Sequence, residues 1–123
     1  MKKIFTLITF ALVGFANMSA QDCTLPSSDI LNTGANMTVM LTPDLISSLN
    51  TTSSDAYLVA LSATGAVIGS ATVGNVPQTA IAIWGNDSQT EEIDGAIDFE
   101  NISFQLVDGI SLFDVIMPSV VTY

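Results

Sequence analysis

Past Lys3 the chain contains no lysine, arginine or histidine. Proteins hold nucleic acid by displacing counterions from phosphates with cationic side chains, so no nucleic-acid partner is expected. Anionic membrane surfaces are excluded on the same ground. Without an imidazole there is no His general base, no Ser-His-Asp triad and no Cys-His pair. Lysine–asparagine isopeptide staples cannot form, and no ion pair can form between side chains beyond Lys3. The single cysteine, Cys23, cannot close an internal disulfide. It is read as an unpaired thiol near a loose N-terminus, the alternative being a partner in another chain or segment. One Cys and no His also argue against a zinc cage. Tryptophan occurs once, at Trp84.

Both basic residues lie in the opening MKKIFTLITFALVGFANMSAQ. Lys2 and Lys3 form a positive start, Ile4 to Phe15 an apolar stretch, and Ser19 and Ala20 a small-residue cleavage site before Gln21. This is the pattern of a secretory signal peptide spanning residues 1–20. The apolar stretch falls short of the ~20 residues a membrane-spanning helix needs, and no later stretch reaches that length. Lipidation of Cys23 is the other alternative, and Asp22 before it argues against that. The expected location is secreted, extracellular or at the cell surface, with no membrane contact once the signal is removed.

What remains keeps all twelve acidic residues. The charged fraction is only 11% and the hydrophobic fraction 49%, which separates the chain from disordered acidic sequences. About a hundred residues suffice for one modest core.

Residues 21–35 are polar and turn-rich and read as an extended entry segment. From Asn36 to Tyr123 the pattern becomes that of a β module. Met37, Val39 and Leu41 alternate with Thr38 and Met40, predicting a strand. Thr42-Pro43-Asp44 predicts a helix start, with Thr42 as N-cap and Leu45, Ile46 and Leu49 on one apolar side. Tyr57, Val59 and Leu61 alternate before an Ala63-Thr64-Gly65 turn, and residues 66–73 return as a hairpin partner. Further strands are expected at 79–84, 102–106, 112–117 and 120–123, with Asp108-Gly109 as a hairpin turn. Six or seven short strands with one helical turn predict an all-β, antiparallel, immunoglobulin-like β-sandwich. The expected core is Val39, Leu41, Leu58 or Val59, Ile68, Ile81, Ile83, Phe104, Leu106 and Val115. The final Tyr123 lies inside an apolar run, which implies either a strand paired to its last residue or, the preferred reading, a natural chain that continues.

Three segments carry a family resemblance: AYLVALSATGAVIGSATV, TAIAIWGNDSQTEEIDGA and ISFQLVDGISLFDV. Together they cover about half of the chain. They resemble an immunoglobulin-like or carbohydrate-binding-like sandwich module of secreted multidomain proteins from marine Bacteroidetes. The resemblance implies a sandwich fold and no catalytic residues. This sequence departs from such proteins in lacking a C-terminal sorting region.

Residues 85–100 hold six of the acids: Asp87, Glu91, Glu92, Asp94, Asp98 and Glu100. Clustered oxygen ligands on a loop suit Ca²⁺, and Asp87, Glu91, Glu92 and Asp94 are the candidate metal ligands, with Asp98 in reserve. The spacing does not follow the EF-hand template, and a solvated acidic loop is the plainer expectation. A glycosidase pair drawn from Asp87 with Glu91 or Asp94 is set aside, because a sandwich of this size lacks the depth for a substrate cleft. Trp84 is the candidate ligand residue for stacking on sugar, against the plainer expectation that it packs at the rim of the core. Asn36-Met37-Thr38 and Asn101-Ile102-Ser103 match the glycosylation sequon, a pattern common by chance. The composition and the resemblance together lead to the expectation of a non-catalytic structural or adhesive module. Its partners would be neighbouring modules or surface glycans, and the alternative is a carbohydrate-binding accessory module that uses calcium.

Overall fold

The computed structural model describes residues 24–30 and 32–123. The expected signal peptide, the cleavage site and Cys23 lie outside the described residues. Among the described residues the elements are β1 (Asn36–Leu41), α1 (Pro43–Ser48), β2 (Tyr57–Leu61), β3 (Val67–Thr72), β4 (Thr79–Trp84), β5 (Asn101–Asp108), β6 (Ser111–Val115) and β7 (Val121–Thr122). The fold is all-β with one short helix, as the alternating pattern predicts. No described helix is long and apolar enough to cross a membrane.

Alternation is plainest in β1 and β5. In β5, Ile102, Phe104 and Leu106 are buried, while Asn101 and Ser103 are exposed. The pairing β2–β5 aligns Leu58 with Leu106 and Ala60 with Phe104, so the apolar rows of neighbouring strands meet on one face. β1 and β4 do the same through Val39↔Ile81 and Met37↔Ile83. In β2, Leu58, Val59 and Ala60 are all buried, the continuous apolar run of a strand covered on both faces. The Tyr57 hydroxyl donates to the Pro26 carbonyl at 2.6 Å, which draws the entry segment toward the face that Tyr57 shares with Val59.

The strands join in the order β1-β4-β3-β2-β5-β6, each pair antiparallel, and β7 pairs with the start of β5 through Asn101↔Thr122 and Ile102↔Val121. The β3–β4 seam is narrow, with only Gly69↔Ile83 and Ser70↔Ala82 paired. Gly69 is required there, because a Cβ on it would collide with the Ala82 carbonyl oxygen. A register shift between Ala60 and Leu61 leaves Ile68 as the extra residue of a β-bulge, and Ile68 joins the core.

One buried cluster runs from Leu41, Ile81 and Ile83 through Leu58 and Ile68 to Phe104 and Leu106. On one side α1 closes part of this cluster with Ile46, Leu45 and Leu49. Thr42 caps α1 by accepting from the Leu45 N–H at 3.4 Å, and Pro43 opens its first turn. Val115 lies half-buried against the cluster.

Two turns depend on glycine. Gly65, at φ 84°, closes the β2–β3 hairpin, with its N–H donating to the Ser62 carbonyl at 2.9 Å. Gly109, at φ 63°, is the first of the two residues between Asp108 and Ser111, the place a tight hairpin reserves for glycine. The turn is thus Gly109-Ile110, and Asp108 is the last residue of its strand.

Candidate functional site: an open sheet edge and the acidic loop

With no base to meet them, the carboxylates of this chain accept hydrogen bonds from backbone amides. The loop from Gly85 to Glu100 is closed at its neck by a parallel bridge, Gly85↔Ala96, where Ala96 N–H donates to the Trp84 carbonyl and Asn86 N–H to the Ala96 carbonyl. Inside it, Asp94 Oδ1 accepts from the Asp87 N–H at 2.9 Å and Asp87 Oδ1 from the Gln89 N–H at 2.8 Å. Asn86 Oδ1 accepts from the Asp94 N–H at 3.0 Å. Glu100 holds two loops together, Oε2 accepting from the Ile97 N–H at 2.9 Å and Oε1 from the Ala63 N–H.

The structure therefore brings Asp87 and Asp94 together and leaves Glu91 and Glu92 exposed on the loop. Among the described residues no three acidic or cysteine side chains gather closely enough to hold a metal ion. Trp84, at the end of β4, is half-buried beside this loop, paired with Asn36 and outside the core cluster.

A different region, which sequence reasoning passed over, carries several exposed large apolar side chains. Along β6 and its flanks Ile110 is 95% exposed, Leu112 42%, Phe113 52% and Ile116 94%. Residues 112–117 read as the second strand of a hairpin, and the sequence gives no sign that β6 stands at the edge of the sheet. Among the described residues its only neighbour along its length is β5.

The hydrogen-bond pattern of that edge follows from the turn. Asp108 and Ser111 close a two-residue hairpin, so they share their backbone bonds, and alternation turns Phe113 and Val115 toward β5 as well. The N–H and C=O of Leu112 and Asp114 then face away from the sheet. Among the described residues neither backbone makes a hydrogen bond outside the strand ladders.

Between this edge and α1 lies an open groove of about 640 Å³. Leu45 and Leu49 line its helix side, and Leu106, Phe113, Val115 and Ile116 its sheet side. Asp108 stands at one end, fixed by three hydrogen bonds: Thr52 N–H to Oδ2 at 2.7 Å, Thr52 Oγ1 to Oδ2 at 2.9 Å and Ser53 N–H to Oδ1 at 2.7 Å. The bond from the Thr52 amide, followed by those from the Ser53 amide and the Thr52 hydroxyl, outweighs partial desolvation and lowers the pKa of Asp108 below the usual aspartate value. Asp114, on β6 itself, accepts from Gln105 Nε2 at 2.9 Å.

The lining of the groove is mixed, its apolar side chains from α1, β5 and β6 alternating with Ser48, Asn50, Thr52, Asp108, Ser111 and Asp114. The chain matches no protein-family model, no curated protein and no solved structure.

Proposed function

We propose that this chain is a non-catalytic structural or adhesive module of a secreted or cell-surface bacterial protein, and that it joins neighbouring polypeptide through the β6 edge. The observation that carries the reading is that Ile110, Leu112, Phe113 and Ile116 are exposed on and beside a strand that, among the described residues, pairs on one side only. Sheet proteins ordinarily blunt such edges with lysine, proline, bulges or a covering loop, because an open edge templates the pairing of another chain. The opposite edge, β1, shows the contrast, since its exposed residues are Asn36, Thr38 and Met40.

Two further observations support the reading. The signal-like opening implies export, and the three segments resembling Bacteroidetes sandwich modules imply a binding or scaffold role beside other domains. The absence of any cationic side chain past Lys3 removes the usual acid–base and nucleophilic machinery.

Surface attachment tests the reading. Cells that display the chain should adhere to one another or to a substratum more than cells displaying the Leu112→Lys/Phe113→Lys variant. Equal attachment by both strains would refute it. Glycan-array binding that disappears in Trp84→Ala would establish the carbohydrate-binding alternative in its place.

A further inference from the structure

We infer that the occupant of the β6 edge is an extended polypeptide segment in which apolar residues alternate with lysine or arginine, added to the sheet as a further strand. The inference rests on the adhesive reading above and names the partner. Three features define its chemistry. First, the outward N–H and C=O groups of Leu112 and Asp114 can be met together only by a strand, since their spacing is that of a ladder. Second, alternate side chains of such a strand would lie over the groove between Phe113 and Val115 on the sheet and Leu45 and Leu49 on α1, where apolar side chains fit. Strand addition of this kind takes affinity from main-chain bonds and specificity from the pockets under every second residue.

Third, the remaining side chains stand on the opposite face of the sheet from the groove, beside Asp114. No side chain past Lys3 offers that carboxylate a cation. A second copy of the chain has none to bring either, and in the register that opposes the two Asp114 side chains like charges are destabilising. A segment carrying lysine or arginine converts the same carboxylate into cross-strand attraction and speeds encounter through long-range steering.

Amide exchange and titration calorimetry on the secreted chain test this with synthetic, end-blocked nine-residue peptides. The probe alternates valine and lysine, and the controls alternate valine with glutamate and glycine with lysine. The Val–Lys peptide should bind, slow the exchange of the Leu112 and Asp114 amides, and lose affinity several-fold in Asp114→Lys and in raised salt. Neither control should protect those amides. Equal binding of the Val–Glu peptide would overturn the cationic partner while leaving the adhesive edge intact. Protection of the same amides without peptide, growing with protein concentration, would overturn the inference in favour of a second copy. Failure of every peptide to protect Leu112 and Asp114 would overturn strand addition, and the attachment assay would still judge the adhesive reading separately.

Discussion

Asp108 shows how a carboxylate settles where no side chain past Lys3 is cationic. Both of its oxygens are taken by the Thr52–Ser53 turn, tying the loop after α1 to the end of β5. Because these bonds lower its folded pKa, Asp108 stabilises the fold fully above the unfolded aspartate value of about 3.9, and that contribution fades as pH falls through the lower, folded value. Asp108→Asn should therefore melt below the parent chain at neutral pH, since an amide cannot accept on both sides. The gap should narrow as the pH drops below about 3.9, and thermal melts across that range check it. A gap independent of pH would show that the loss is steric.

Phe99 illustrates the opposite case, a residue at odds with its backbone. It holds φ at 65° while 88% exposed, and its N–H donates to the Tyr123 carbonyl at 3.0 Å. A bulky L-residue in the left-handed region costs roughly 1–2 kcal/mol, and an exposed ring recovers little of it. Phe99→Gly should raise the urea midpoint by the equivalent of about 1 kcal/mol. A lowered midpoint would mean that the ring is engaged.

At the scale of elements, the narrow β3–β4 seam is where the sheet is most sensitive. Gly69→Ala places a methyl against the Ala82 carbonyl oxygen, backbone that cannot swing away. The expected cost is about 1–3 kcal/mol, as for other overpacked sites, read from denaturant midpoints. No cost would show that the seam can widen freely.

The same scale explains what was legible beforehand. Alternation and turn chemistry located β1, the α1 cap at Thr42, the β2–β3 hairpin and the glycines at 65 and 109, because those signals are local. The expected core residues are buried or packed against the core, since period-two burial survives errors in pairing. Strand ends were less legible: β5 runs to Asp108 and β6 stops at Val115, limits set by which partner residues remain to bond. The edge position of β6 and its groove with α1 depend on strand order, which short-range pattern does not encode. The acidic loop was legible as composition only. Its geometry follows from Asp87, Asp94 and Asn86 bonding to nearby amides, a competition that residue spacing does not reveal.

Twelve acidic residues of the whole molecule stand against two lysines, both within its first three residues. The sequence pI is about 4.1, and near neutral pH carboxylate repulsion works against the folded state. Sodium chloride should therefore raise the melting temperature progressively, since screening shortens the reach of repulsion to about 10 Å at 0.1 M. A flat response to salt would show that the acids are too dispersed to matter. A further gain in calcium chloride at the same ionic strength is the signature that the expected calcium site at Asp87, Glu91, Glu92 and Asp94 would leave.

The central claim is an all-β sheet whose β6 edge is open, ready to take another strand. Residue-resolved amide hydrogen exchange on the dilute, isolated chain tests it most directly. Phe104, Leu106 and Phe113 should exchange slowly, because their amides lie inside the ladder, while Leu112 and Asp114 should exchange at near-solvent rates. Slow exchange at Leu112 and Asp114 in the isolated chain, matching that of Phe113, would contradict the account.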